Sequence, residues 1–240
     1  MNKRVAVVSG GNGAIGQGVV DALRQRGVEP VVFDRSASSA AESGTRQLEV
    51  DVTNYVDVSR QVATVVRDYG RIDYLICAQG VVSEAPVIDL ELSEWERILT
   101  VNLTGTFVMC RSVLPFMQQK RFGRIVTFST GYITRGYANG AHYAAAKAGI
   151  AALTKSLALE VAPLGITANC VAPGPVDSPM LEQITQGKRE AWEAGIRARI
   201  PRGRVAQVSD VVAPVLFFLS DEADYITGQT MHVSGGLYNP

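Results

Sequence analysis

The sequence predicts an α/β fold: one doubly wound parallel sheet with helices on both faces, in a single domain over residues 1–240. Three observations predict it. Short unbroken apolar runs such as Arg4-Val5-Ala6-Val7-Val8-Ser9 have the composition of strands buried on both faces. Stretches with helical spacing, such as Val58, Val62, Val65 and Val66, separate these runs along the full length. The first run feeds a glycine-rich turn, Gly10-Gly11-Asn12-Gly13-Ala14-Ile15-Gly16, and then a helix with Val19, Val20 and Leu23 on its inner side and Gly27 just past its end.

A chain of 240 residues with 47% hydrophobic and 19% charged content can bury a substantial core. Its 23 basic and 23 acidic residues balance, so no global field draws it to nucleic acid or to an anionic membrane. Small molecules and identical subunits are the expected partners. The apolar run after Lys3-Arg4 is too short for a signal-peptide core, and no later run approaches membrane-spanning length. Cys77, Cys110 and Cys170 are far apart and form no CxxC pair, which suits reduced core thiols and a cytoplasmic location. With only His142 and His232, no metal site is expected.

Strand, glycine turn and helix together aim free backbone N–H groups at a pyrophosphate, with Gly10 and Gly16 allowing close approach; a merely tight turn is the plainer use. Val31-Val32-Phe33-Asp34 ends the second strand about twenty residues on, where a carboxylate accepts hydrogen bonds from both adenosine ribose hydroxyls and repels a 2′-phosphate. This favours NAD(H), with Arg35 as a guanidinium able to pair with that phosphate instead. Residues Ser36 to Gly44 read as a surface loop or short helix, and Gln47 to Val50 as a strand leading to Asp51-Val52, where Asp51 is placed to contact adenine. A helix from Tyr55 to Tyr69, closed by Gly70, is packing.

Tyr74 to Cys77 is another buried strand, followed by Ala78-Gln79-Gly80, where glycine lets the chain pass close to a cofactor. Ser93-Glu94-Trp95-Glu96 has capping-box form and starts a helix to about Lys120, kinked near Asn102 or Gly105. Asn102 lies in an apolar stretch, so its amide needs a water or a backbone group as partner. The strand Arg124 to Phe128 delivers Ser129 and Thr130, hydroxyls suited either to a substrate oxygen or to turn capping. The loop from Gly131 to Tyr137 carries aromatics for a pocket wall or for the surface.

Tyr143 and Lys147 are four apart in an alanine run of high helix propensity, which stacks them on one helical face. A phenol of pKa about 10 is a poor base at neutral pH, and a nearby ammonium favours its anion. His142 reads as a bystander. The helix ends near Pro163-Leu164-Gly165, the strand Ile166 to Val171 follows, and Pro173-Gly174-Pro175 stiffens the chain into a wall. The mixed stretch over about 178–204 has the composition of a mobile substrate lid. Its Lys188, Arg189, Arg197, Arg199, Arg202 and Arg204 suit a solvated face first and an anionic substrate group second. An apolar helix, Val208 to Leu219 with Pro214 inside, and a strand, Thr230 to Val233, close the chain.

Together the turn from Ser9 to Gly16, Asp34, Asp51-Val52, Val101-Asn102, Thr130, Tyr143 with Lys147, Pro173-Gly174 and Thr227-Gly228-Gln229 resemble the short-chain dehydrogenase/reductase family throughout. The resemblance implies a Rossmann-type fold, a homotetramer, and Tyr143 as general acid/base. It implies that Lys147 lowers the tyrosine pKa and holds the nicotinamide ribose, that Asn102 keeps a proton-relay water, and that Thr130 orients the reacting oxygen. Cofactor contacts are implied at Gly10, Asn12, Ile15, Gly16, Asp34, Asp51, Val52, Ala78, Gly80, Tyr143, Lys147, Pro173, Gly174, Val176 and Ser178, and substrate contacts at Thr130, Tyr137, Tyr143 and Pro175. Three positions depart from the pattern: Thr130 where serine is usual, Ala14 where the turn often has its middle glycine, and Cys77-Ala78-Gln79-Gly80 where an Asn-Asn-Ala-Gly run commonly braces the central strand.

The expected activity is NAD-dependent hydride transfer between a secondary alcohol and a ketone. One alternative is a 3-oxoacyl thioester reductase using NADPH. Another, of a different class, is a dinucleotide-binding regulator without turnover.

Overall fold

The computed structural model describes residues 3–35, 44–185 and 187–239. Its sheet has seven strands: β1 Val5–Ser9, β2 Glu29–Asp34, β3 Arg46–Glu49, β4 Tyr74–Cys77, β5 Gly123–Phe128, β6 Ile166–Pro173 and β7 Thr230–Val233. All pairs are parallel, in the order β3-β2-β1-β4-β5-β6-β7. The chain therefore runs out from β1 to β3, returns to β4 on the other side of β1, and runs out again to β7. That reversal opens a crevice at the C-terminal ends of β1 and β4.

The helices are α1 Ala14–Gln25, α2 Tyr55–Tyr69, α3 Leu92–Leu99, α4 Gly105–Lys120, α5 Ala141–Val161, α6 Pro179–Thr185, α7 Arg189–Arg197 and α8 Val208–Leu219. Alternate strand residues feed two apolar layers. Val5, Val7, Leu75 and Ile125 pack with Val62 of α2, Met109 of α4 and Leu157 of α5. Ala6, Val8, Ile76 and Val126 pack with Leu23 of α1 and Val215 and Phe218 of α8. A one-residue slip of any strand would exchange its two faces, so the apolar pattern holds the register.

Several local expectations change. The predicted box at Ser93–Glu96 does not form: α3 starts at Leu92 after Glu91, with no side-chain cap, and Glu94 instead binds Arg97. A capping box does form at α8, between Gln207 and Asp210. The expected kink is a π-helical stretch, Thr100–Thr104, between α3 and α4. The stretch Leu92–Lys120 is, against expectation, long and apolar enough to cross a bilayer by length and composition. Its Met109, Val113 and Met117 are nevertheless fully buried in the core, so this apolarity serves packing. Of the predicted loop or helix from Ser36 to Gly44, residues 36–43 lie outside the described residues.

Candidate active site

After β1 the chain turns through Gly10 at φ +68°, a left-handed conformation that glycine adopts without strain. A Cβ on Gly10 would stand 2.4 Å from the Gln79 main-chain nitrogen, and one on Gly16 would stand 2.2 Å from the Gly10 carbonyl oxygen. Backbone packs on backbone here, and no larger residue fits. Gly13 precedes α1 with no side-chain cap, so the first-turn N–H groups remain as anion donors.

The turn lines a cleft of about 500 Å³ together with Asp34, Asp51, Val52, Ala78, Gly80 and Ser178. Asp34 is held by main-chain donors: Asn12 N gives to Oδ2 at 3.0 Å and Arg35 N to Oδ1 at 2.8 Å. Asp51 turns back on its own loop, accepting from Thr53 N at 2.9 Å and Thr53 Oγ1 at 2.7 Å.

A second, smaller cavity of about 140 Å³ adjoins the cleft. Ile15, Ala78, Gln79, Gly80, Ser178 and Met180 line both. The inner wall of the cavity carries Thr130, Tyr143 and Lys147, and Pro173, Gly174, Pro175 and Val176 form another side. Tyr143 and Lys147 share the first turns of α5, with the ammonium 5.7 Å from the ring centroid. Lys147 Nζ donates to the Phe128 carbonyl at 3.1 Å. Ser129 Oγ donates to the Lys147 carbonyl at 2.8 Å, tying the end of β5 to α5. Thr130 Oγ1 accepts weakly from Tyr132 N at 3.4 Å, so its own proton stays available for a ligand. The Ser129 hydroxyl is thus committed to the scaffold, whereas Thr130, the hydroxyl that the family resemblance picks out, lines the cavity.

One expectation needs correction. Lys147 does not acidify Tyr143 within the protein: burial pushes the phenol up to about 12. The same burial brings Lys147 down to about 8, against opposing contributions from Cys170 and Cys77. Desolvation outweighs a cation whose bonding is directed at a carbonyl. Of the two partners expected for the Asn102 amide, the structure shows backbone: Nδ2 donates to the Val81 and Ile98 carbonyls, both at 2.9 Å. Asn102 Oδ1 accepts from Val81 N at 3.3 Å, so the side chain acts on backbone.

The outer wall of the cavity is aromatic and apolar. Tyr132 and Tyr137 stack at 4.0 Å, and Tyr137 meets Tyr143 edge-on at 6.3 Å. The Tyr137 hydroxyl donates to Glu84. Burial raises the Tyr132 and Tyr137 phenols further than Tyr143, and Glu84 adds to the effect at Tyr137. Tyr238 supports this wall edge-on to Tyr132 at 5.6 Å, lying where a Cβ on Gly131 would be 2.0 Å from its ring.

Met180, Leu181 and Ile184 of α6 and Trp192 of α7 complete the enclosure. The basic residues of this stretch do not line the cavity. Arg189 pairs with Asp177 at 2.6 Å, with Glu193 at 2.7 Å and with Glu182. Arg197 pairs with Glu193 and Arg204 with Asp210. Lys147 is the sole charged side chain among the described residues lining the cavity.

Sequence reasoning missed Gln79, Met180, Leu181, Ile184, Trp192 and Tyr238 as site residues. Only the lid residues carried a signal, the amphipathic spacing around Ile184 and Trp192. His142, the expected bystander, is buried with Nε2 2.8 Å from Ser83 Oγ, whose hydroxyl donates to Glu94. It anchors the start of α5. Among the described residues no cluster of His, Cys, Asp or Glu has the arrangement of a metal site.

A Rossmann-type sheet with a glycine cradle at its switch point and a Tyr-Lys pair at the neighbouring strand ends defines a class of dinucleotide-dependent oxidoreductases. The family model described as enoyl-(acyl carrier protein) reductase matches residues 11–238. The chain belongs to the short-chain dehydrogenase/reductase family. It is 34% identical over 241 residues to the 3-oxoacyl-[acyl-carrier-protein] reductases of Salmonella typhimurium and of Escherichia coli, covering 98% of this chain and 97% of each relative. Among solved structures it is similar to the aldohexose dehydrogenase of Thermoplasma acidophilum, with a TM-score of 0.93 and 28% identity over 98% of this chain and 94% of that one. Levodione reductase has a TM-score of 0.92 and 27% identity over 97% of this chain and 96% of that one. The cofactor of the family is a nicotinamide dinucleotide. The Cβ-free cradle and the uncapped α1 suit its pyrophosphate, and Asp34 suits a ribose.

Proposed function

We propose that the protein interconverts an uncharged secondary alcohol and its ketone with NAD(H), in the cytoplasm and as a homotetramer. The observation that carries this reading is the shared wall of the two cavities. Gly10, Asn12, Ile15, Gly16, Asp34, Asp51, Val52, Ala78 and Gly80 would hold a dinucleotide in the cleft, which adjoins, at Ser178, the cavity that holds Thr130, Tyr143 and Lys147. The nicotinamide supplies or accepts the hydride. Tyr143 gives its proton to the ketone oxygen in reduction and takes it back in oxidation, while Thr130 donates a hydrogen bond to the same oxygen. A phenol held at about 12 is in its donor form at neutral pH, which suits the reductive direction. Lys147 would hold the nicotinamide ribose, with Pro173, Gly174 and Val176 lining the same cavity, and Asn102 fixes the backbone at Val81.

Substrate sits against Tyr137 and Pro175, among apolar side chains with no anion-pairing residue but Lys147, so a neutral ketone fits better than an anionic one. Asp34 supports NAD(H) over NADP(H). Three free buried thiols suit a reducing compartment, and exposed Phe107, Leu159 and Tyr225 supply apolar surface for self-association. The second reading, reduction of 3-oxoacyl thioesters with NADPH, is favoured by the 34% identical relatives named for that reaction. Turnover of neutral cyclic and linear ketones, matched 2-oxo acids and 3-oxoacyl thioesters with both cofactors tests the choice. Neutral ketones with NADH should give the highest kcat/KM; a preference for thioesters with NADPH would overturn it, and NADH binding without turnover would indicate a regulator.

A further inference from the structure

At Cys77-Ala78-Gln79-Gly80 this chain lacks the asparagines that commonly brace the central strand. Gln79 is buried, and both ends of its amide are used. Ser9 Oγ, at the end of β1, donates to Gln79 Oε1 at 2.6 Å. Gln79 Nε2 donates to Thr106 Oγ1 on α4 at 3.1 Å, and that hydroxyl donates to the Asn102 carbonyl at 2.7 Å. The Asn102 side chain in turn grips Val81, with Oδ1 accepting from Val81 N and Nδ2 donating to Val81 O. The circuit starts from residue 79 and closes on residue 81. Gly80 lies between its ends, where an added Cβ would meet Asn102 Oδ1 at 3.1 Å and Lys147 Nζ at 3.6 Å. The Gln79 main-chain nitrogen also packs against Gly10.

We infer that Gln79 is a positioning residue: through Thr106 and Asn102 it sets the Gly80 backbone against both the Gly10 turn and Lys147, and so shapes the passage joining the two cavities. A single amide thereby links β1 and the π-helical stretch ahead of α4. The inference rests on the oxidoreductase reading for its consequence and on geometry alone for its cause, so the test reads each separately. Gln79→Met keeps the volume and removes the amide; Thr106→Val removes the hydroxyl with little change of shape, and Thr106→Ser restores it. Amide hydrogen exchange across residues 78–82, which needs no ligand, should quicken in Gln79→Met and in Thr106→Val and remain as in the wild type in Thr106→Ser. NADH affinity by fluorescence titration should weaken about ten-fold in each of the first two variants, the size expected for unpaired buried polar groups. Their double variant should lose little more, because both break one circuit. Unchanged exchange in the variant that folds, or losses that multiply in the double variant, would overturn the inference. Quickened exchange in the two variants, with a wild type that itself fails to bind NADH, would leave the inference standing and count against the proposed function.

Discussion

The two edges of the sheet treat buried charge in opposite ways. At the N-terminal edge, Arg71 donates to Asp73 at 2.5 and 2.7 Å, and buried Arg124 reaches Asp224 at 2.6 Å. Arg4 engages both oxygens of Asp221, and the Arg4 and Arg124 guanidinium groups lie 4.9 and 4.6 Å from the Phe122 ring. At the C-terminal edge Lys147 is 5% exposed, hardly more than Arg124 at 2%, yet among the described residues no carboxylate pairs with it. A buried cation with only a carbonyl for company costs stability. One edge pairs its arginines with carboxylates, whereas the other leaves a buried cation facing the cavity.

The sharpest break in this contrast comes from removing the proton donor at the functional edge. Tyr143→Phe should lower turnover by about a thousand-fold, within the range for lost general acid catalysis, with unchanged NADH affinity. Near wild-type turnover would remove Tyr143 from its role. At the neighbouring hydroxyl, Thr130→Ala should be far worse than Thr130→Ser.

Next in size is a matched pair of substitutions. Arg71→Met strands Asp73, which is 3% exposed and among the described residues keeps only Val5 N as a donor, and should destabilise by about 3 kcal/mol with no loss of activity per folded molecule. Lys147→Met should do the reverse, cutting activity by about a hundred-fold while raising stability at pH 7 by about 2 kcal/mol. The sign follows from a folded pKa of about 8 against an ordinary 10.5. Burying the ammonium costs its full amount below pH 8, and the cost fades as pH rises from 8 to 10.5. The stability advantage of Lys147→Met should shrink over that window. Chemical denaturation at pH 7 and pH 10 measures it, and a constant difference would show that burial does not strain the charge.

A smaller effect should appear in the pH profile. On the proposed mechanism, ketone reduction needs a protonated phenol and a charged Lys147. With Tyr143 at about 12 and Lys147 at about 8, the alkaline fall in kcat/KM should start near pH 8 and belong to the lysine. Lys147→Arg should move that fall to higher pH, since a guanidinium stays charged. A fall left in place would assign it to another group.

These sign differences also mark what sequence can and cannot reveal. The apolar runs became β1, β4 and β6, and α2 spans the predicted Tyr55–Tyr69, because short-range periodicity governs both patterns. The four-residue spacing of Tyr143 and Lys147 did put both on one face of α5. What failed was the direction of the phenol shift, since spacing reports a neighbouring charge and not the desolvation that overrides it. Gln79 was unreadable for a related reason: its partners Ser9 and Thr106 lie 70 and 27 residues away and meet it only in the folded sheet. Arg189 was half visible, its i,i+4 partner Glu193 being local and Asp177 lying across the turn into α6.

The mildest prediction concerns Asp34, a second charge at the functional edge with no ionic partner among the described residues. Asp34, like Lys147, is held by main-chain groups, here the Asn12 and Arg35 nitrogens, so its charge remains to be matched by a ligand's hydroxyl donors. Arg35 lines the same cleft, and a 2′-phosphate would meet both residues. Asp34→Ala should therefore shift the NADH to NADPH ratio of kcat/KM about ten-fold toward NADPH by removing one repulsion while leaving the guanidinium. Adding Arg35→Ala should cancel most of the NADPH gain. A ratio unmoved by Asp34→Ala would mean that this carboxylate serves only to hold the glycine turn, and would bring the C-terminal edge closer in kind to the N-terminal one.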